Sequence, residues 1–494
     1  MSLFRVCRML AFLLGCGASV GCVALRAAPV EPMATVPVVM LSDLHFDPYH
    51  DPAKFERLRS APASEWQKIL AGPDAEDQAG GFAKLLKACR TRGVDTPWTL
   101  LESSLTAAHA QSPHALFVTV AGDLLAHQFD CRFHVLAPGA AESEYSAFAA
   151  KTVSYVASEL HRAFPETPVY LALGNNDSGC GDYREAVDSG FLHNIAESFG
   201  DDVGSVEGRK ELLHVFPMSG NYSVALPRPI VRGRLIVLQD IFLSVGYAGC
   251  DGKPDAVPGA AELEWLRTEL TAARARHEQV WVMAHIPPGV NLYSTVATNR
   301  DVCGGQAPVM FLRNEKLAEV LTDFAADIRL VIFGHTHNDE MRLLQGVAVP
   351  STANAKPAPA RVVAKLVPSV TPVNGNYPAF TLADVDPRTA VMKDYRVIAA
   401  DNQTGINAKW AEEYRYSTTY RSAAFTPGEV VSLIAKFGAD KEGATPRSLA
   451  YEQNFMVNGG LRALAMRTVW PQYVCSMLND TEAGYRSCAC AAKP

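Results

Sequence analysis

The chain has no CxxC pair, no block of like charge, and no internal repeat or low-complexity tract. The first absence argues against a zinc–cysteine site. The second removes the basic stripe on which a nucleic-acid polymer is held, because that affinity comes from clustered Lys and Arg displacing counterions. A net charge of −7 is instead dispersed over 494 residues. Past the N-terminus the chain also lacks any apolar run long enough to cross a bilayer. What is present is 48% hydrophobic and 20% charged, which suits a globular protein with a large core and argues against disorder. Length alone allows about two to four domains, although α/β enzymes of this size often fold as one unit.

Arg5 and Arg8 precede an apolar stretch from Met9 to Leu25, followed by Arg26-Ala27-Ala28-Pro29, the order of a secretory signal peptide. Gly15, Gly17, Ser19 and Gly21 interrupt the stretch and make it a poor membrane span. Residues 1–28 are therefore expected to be a signal peptide, and the mature chain to be secreted or periplasmic with no transmembrane segment. Ser19-Val20-Gly21-Cys22 has some of the look of a bacterial lipoprotein cleavage site, so a lipid anchor at Cys22 is the alternative. Of eleven cysteines, Cys7, Cys16 and Cys22 fall in this leader. The other eight are Cys89, Cys131, Cys180, Cys250, Cys303, Cys475, Cys488 and Cys490. An even number in an exported chain reads as a disulfide framework of open connectivity. One bridge is expected within the cluster at Cys475, Cys488 and Cys490.

The pattern along the chain alternates short apolar runs with amphipathic stretches, which indicates a layered α/β fold. Strands are expected at Val36 to Ser42, Ala115 to Ala121, Val169 to Leu173, Tyr222 to Leu226, Leu235 to Asp240, Val280 to Ala284, Leu330 to Phe333 and Ala379 to Val385. Helical spacing appears at Phe82 to Cys89, Tyr145 to Leu160, Ala261 to Ala275 and Asn314 to Ala325. Ala348 to Ala360, rich in Pro, Ala and Ser, reads as a loop. Beyond about Ile406 the chain reads as helical, carrying Trp410, Tyr414, Tyr416 and Tyr420.

Polar residues collect where the apolar runs stop, at the strand ends where α/β sheets build their sites. Asp43 and His45, Asp123, Asn175, His285, and His335 with His337 occupy five such ends. Taken singly, Asp123 reads as a turn aspartate, Asn175 as a helix cap and His285 as a core histidine. As an ordered set of carboxylate, amide and imidazole donors they point to divalent metal.

The order DxH, GD, GN, H, GHxH resembles the calcineurin-like metallophosphoesterase superfamily over about Val36 to Val397. The resemblance implies a four-layer α/β/β/α sandwich holding two divalent ions, with zinc expected and iron or manganese as alternatives. It places Asp43, His45, Asp123 and His337 on one ion and Asp123, Asn175, His285 and His335 on the other. It also implies in-line attack by a hydroxide bridging the two ions, and hydrolysis of a phosphate ester. Asp43-Leu44-His45-Phe46-Asp47-Pro48, Val367-Pro368-Ser369-Val370-Thr371-Pro372 and Gly375-Asn376-Tyr377-Pro378-Ala379-Phe380 look like blocks of the acid sphingomyelinase-like phosphodiesterases. So does the cysteine-bearing tail.

One position departs from the superfamily. Asn176 stands where most members carry a histidine that contacts phosphate or protonates the leaving group, and an amide cannot act as a general acid. His127, four residues after Asp123, has an offset found in the sphingomyelinase-like group and is the candidate acid. Gly174-Asn175-Asn176-Asp177 also resembles the related endopolyphosphatases, which makes a phosphoanhydride the alternative substrate. A non-catalytic phosphate-binding surface protein is a third reading. The expected organisation is a signal peptide at 1–28, a metallophosphoesterase domain at 36–400 and a helical extension at 401–494. The expected partner is a small phosphorylated substrate and not a nucleic-acid polymer, with the oligomeric state open.

Overall fold

Buried parallel strands need no polar side, so they read as unbroken apolar runs, and these form the centre of the molecule. A computed structural model of the chain describes residues 34–348, 359–458 and 461–491. The expected leader and Cys22 lie outside these residues. In chain order the strands are β1 (Val36–Leu41), β2 (Val118–Ala121), β3 (Val169–Ala172), β4 (Tyr222–Ala225), β5 (Gly233–Val237) and β6 (Gln279–Met283). They continue as β7 (Ile328–Phe333), β8 (Glu340–Ala348), β9 (Pro359–Leu366), β10 (Ala379–Val385), β11 (Met392–Ala400) and β12 (Trp410–Arg415). Two six-stranded sheets result, ordered β12-β11-β10-β1-β2-β3 and β4-β5-β6-β7-β9-β8. β1, β2 and β3 run parallel in the first, as do β5, β6, β7 and β9 in the second. The outer pairs are antiparallel.

Alternation along each strand stacks the sheets face to face. In β6, Trp281 and Met283 join the core shared with the first sheet, while Val280 and Val282 face the helices Val257–Ala275 and Lys316–Asp323. β7 divides the same way, with Leu330 and Ile332 on the shared side and Val331 and Phe333 on the helical side. Trp281 closes the centre of the sandwich. Its ring meets Phe117 edge-on at 5.6 Å, and its indole N–H donates to the Ala390 carbonyl at 2.8 Å. The helices Trp98–Gln111 and Glu142–Ala163 pack into the first core, so helices flank both sheets as expected.

One local expectation is overturned. Trp410 and Tyr414 are not helical: they lie on β12, which pairs antiparallel with β11, and the helix begins only at Tyr416. Trp-Ala-Glu-Glu-Tyr-Arg suits a helix by propensity, but the exposed edge of β11 supplies ladder partners, and pairing overrides propensity. β8, β9 and β11 had no expectation attached to them. Most of the segment read as a loop, 349–358, lies outside the described residues, and its ends belong to β8 and β9.

The chain closes with the helices Pro427–Ala439, Pro446–Phe455, Leu461–Thr468, Trp470–Leu478 and Glu482–Ala491. They are bonded to the sheet. The Asp339 N–H donates to the Phe455 carbonyl at 2.9 Å, and the Tyr473 hydroxyl donates to Glu340 at 3.1 Å. Four disulfides join Cys89 to Cys131, Cys180 to Cys250, Cys303 to Cys490 and Cys475 to Cys488. The last is the bridge expected within the tail cluster.

Candidate metal centre

The C-terminal ends of β1, β2, β3, β6 and β7 carry Asp43 and His45, Asp123, Asn175, His285, and His335 with His337. The turns there are tight. Asp43, His45, Asp123, His335 and His337 all hold positive φ, at 49°, 41°, 55°, 71° and 63°. Such backbone costs about 1–3 kcal/mol per residue outside glycine, and it gathers at sites whose surroundings impose it. Bonds between the turns impose it here. The Asp43 N–H donates to the Gly122 carbonyl (3.0 Å), that of His45 to the Asp123 carbonyl (2.8 Å), and that of Gly334 to the His285 carbonyl (3.0 Å). Two of the motif glycines are required by crowding. A Cβ at Gly174 would lie 2.1 Å from Asp123 Oδ1, and one at Gly334 would lie 2.1 Å from the Ser42 hydroxyl.

The donor atoms of Asp43, His45, Asp123 and His337 lie within 4.8 Å of one another, as do those of Asp123, His285 and His335. Asn175 Oδ1 sits 2.9 Å from His335 Nδ1. Every metal-ligand position expected from the sequence is therefore in one cluster, with Asp123 common to both groups. The hydrogen bonds around the imidazoles fix what they offer. His45 donates from Nδ1 to the Leu125 carbonyl (2.8 Å) and His285 from Nδ1 to the Ala121 carbonyl (2.6 Å). In the neutral ring, Nε2 then carries a lone pair. Those two lone pairs face the same Asp123 oxygen, at 3.3 and 3.1 Å. His285 Nε2 is buried without a hydrogen-bond partner. Acceptors crowded against a carboxylate call for positive charge among them, and this donor set of carboxylates, imidazoles and one amide oxygen fits divalent ions such as zinc, iron or manganese.

The titration shifts follow the same logic. Burial pushes the His335 imidazole down to about 3 and the His45 imidazole down to about 4, where His127 adds to the effect, so both are held in the neutral, ligating form. His285 goes the other way. Burial opposes its charge, but the Asp123 carboxylate raises it to about 10, so in the absence of an ion its Nε2 carries a proton, which a metal cation beside that carboxylate would displace. Burial also raises Asp43 to about 7, with Asp123 repelling a second negative charge.

His127 stands beside this cluster, its ring stacked on His45 at 3.9 Å between centroids. Its Nδ1–H donates to Asp95 Oδ1 at 2.8 Å, and its backbone N–H donates to Asp95 Oδ2 at 3.0 Å. Burial works against an imidazolium at this position, but Asp95 outweighs it and His127 is raised above its ordinary range. Asp95 in turn accepts from Arg132 at 2.9 Å and from Thr371 at 3.2 Å, and Arg132 also bonds Asp47. Asn176 does something different. Its backbone N–H and its side-chain Nδ2 donate to the two oxygens of Asp123, each at 2.9 Å, so it anchors the carboxylate common to both groups.

Residues 36–339 match the family model described as calcineurin-like phosphoesterase. The chain belongs to that family. Its members are hydrolases, and this phosphoesterase has named relatives. Acid sphingomyelinase-like phosphodiesterase 3b of Homo sapiens is 26% identical over 394 residues, covering 77% of this chain and 75% of its own. Cyclic GMP-AMP phosphodiesterase SMPDL3A of Mus musculus is 23% identical and covers 98% of each chain. Sphingomyelinase phosphodiesterase D of Dictyostelium discoideum is 26% identical over 54% of this chain and 56% of its own.

Several residues outside the ligand set hold the phosphoesterase centre together, and apart from Asp177, which stands in the Gly-Asn-Asn-Asp run, none carried a sequence signal of its own. Asp177 accepts the backbone N–H groups of Leu124 (2.8 Å), Leu125 (2.9 Å) and Gly174 (2.8 Å), tying the Asp123 turn to the Asn175 turn. Asp240 accepts from His285 (3.2 Å) and Ile286 (2.9 Å) and does the same for the turn after β6. Asp95 and Arg132 belong with them. Lone charged residues in mixed segments have no periodicity, and only their partners reveal them.

Proposed function

We propose that the chain is an exported phosphodiesterase that works with two divalent ions, zinc foremost, on small diesters of the nucleotide or phospholipid head-group type. Asp43, His45, Asp123 and His337 would hold one ion, and Asp123, Asn175, His285 and His335 the other. Two such ions supply an activated water and a clamp for the phosphoryl oxygens. The observation that carries the reading is the convergence of two imidazole nitrogens, Nε2 of His45 and Nε2 of His285, on one oxygen of Asp123.

His127 is the general acid in this reading. As imidazolium it gives Nδ1–H to Asp95 and keeps Nε2–H for the departing oxygen. After transfer the neutral ring retains its Nδ1 proton, the tautomer that Asp95 favours. Asn176 bonds to Asp123, so it would orient the shared carboxylate and leave acid catalysis to His127. Diester hydrolysis is supported by the names of the relatives, and export by the four disulfides, which persist in oxidising compartments.

The test is hydrolysis by the purified chain of a chromogenic phosphodiester and its matching monoester, with and without a chelator. Chelator-sensitive cleavage that prefers the diester is expected. Failure on both substrates by protein that retains its metal would refute the proposal and send the search to phosphoanhydrides or to a non-catalytic role.

A further inference from the structure

We infer that Asp182 and Tyr183 are positioning residues for one of the two ion positions, the one formed by Asp123, Asn175, His285 and His335. The inference rests on the two-ion reading above. Asn175 offers a metal only its amide oxygen, yet an amide can turn over and present its NH2 group instead. Asp182 prevents the turn. Its carboxylate only accepts hydrogen bonds, so the 2.8 Å contact between Asn175 Nδ2 and Asp182 Oδ1 holds the NH2 on that side and leaves Asn175 Oδ1 facing His335. Tyr183 acts on the neighbouring ligand. Its hydroxyl lies 3.3 Å from His335 Nε2, where it accepts the Nε2 proton and frees the Nδ1 lone pair beside Asn175 Oδ1. Two consecutive residues thus orient two ligands of the same ion.

The segment that carries them is held in place. The Tyr183 N–H donates to the Asn175 carbonyl at 2.9 Å, and the Ala248 N–H donates to the Tyr183 carbonyl at 3.0 Å. Cys180, two residues before Asp182, is tied to Cys250. Gly246 lies so close to the Tyr183 ring that a Cβ there would be 2.8 Å from it. Asp182 itself is exposed, so its replacement removes an orienting contact without opening the core.

The test titrates zinc into the metal-stripped full chain and counts bound equivalents. Wild type should take up about two. Asp182→Ala should weaken one equivalent by about 10- to 100-fold, the usual effect of losing a partner that orients a ligand, and leave the other unchanged. Asp182→Asn, whose amide oxygen still accepts from Asn175, should recover most of the loss. Tyr183→Phe should weaken the same equivalent. Asp182→Ala that binds both equivalents as wild type does, or weakens both alike, would overturn the inference. His335→Ala is the control and should weaken the same single equivalent. If wild type takes up only one equivalent, the two-ion reading fails instead.

Discussion

Replacing Asp95 by Asn should move the alkaline limb of the pH–rate profile to lower pH. Asp95 is fully buried and makes two hydrogen bonds to His127, one to the ring and one to the backbone. Its charge holds the imidazole above the ordinary histidine range against a burial effect of opposite sign. A hydrogen bond to a charged group contributes about 1.5–3 kcal/mol. At 1.36 kcal/mol per pKa unit, that corresponds to a fall of about one to two units in His127 when the charge is removed. As the proposed general acid, His127 must be protonated to act, so activity should be lost as pH rises through its pKa, and a lower pKa should bring that loss to lower pH. The asparagine keeps the size and an acceptor oxygen, and Arg132 keeps Asp47. The assay is kcat against pH for a diester with a poor leaving group, with thermal unfolding as the check on folding. A folded Asp95→Asn variant whose limb stays in place, or moves to higher pH, would refute the reasoning.

His127→Ala should lower kcat by about 10²- to 10⁴-fold on a diester with a poor leaving group and by much less on a nitrophenyl diester; equal losses on both would remove the acid role. Gly174→Ala should abolish turnover and metal retention, because its Cβ would run into both the carboxylate and the backbone nitrogen of Asp123; retained metal would count against that crowding. Trp281→Ala should destabilise the chain by about 3–5 kcal/mol in denaturant unfolding, since it empties the contact between the sheets. A change below about 1 kcal/mol would mean that the sheets are held elsewhere.

The centre was readable because of how parallel sheets are built. A strand covered on both faces is apolar throughout, so Leu330 to Phe333 and Val280 to Met283 stand out, and the first polar residue after each marks the rim. Asp43, Asp123, Asn175, His285 and His335 all follow such runs, and the structure brings them together. The antiparallel strands were harder. β8, β9 and β11 mix charged and apolar residues, and β12 is composed like a helix, so only pairing with a neighbour decides their state. The supporting carboxylates were invisible for another reason. Asp95 lies 32 residues from His127, and Asp240 lies 45 from His285, so nothing local couples them. Asn176 could be identified as an exception, but its attachment to Asp123 could not be foreseen.

The central claim is that Asp123 is shared by two ions that the chemistry requires. Its most direct test is metal content measured beside diester turnover in wild type and Asp123→Ala. The account predicts about two ions per wild-type chain, fewer in the variant, and turnover lost together with the metal. A folded Asp123→Ala chain with unchanged metal content and unchanged turnover would contradict it.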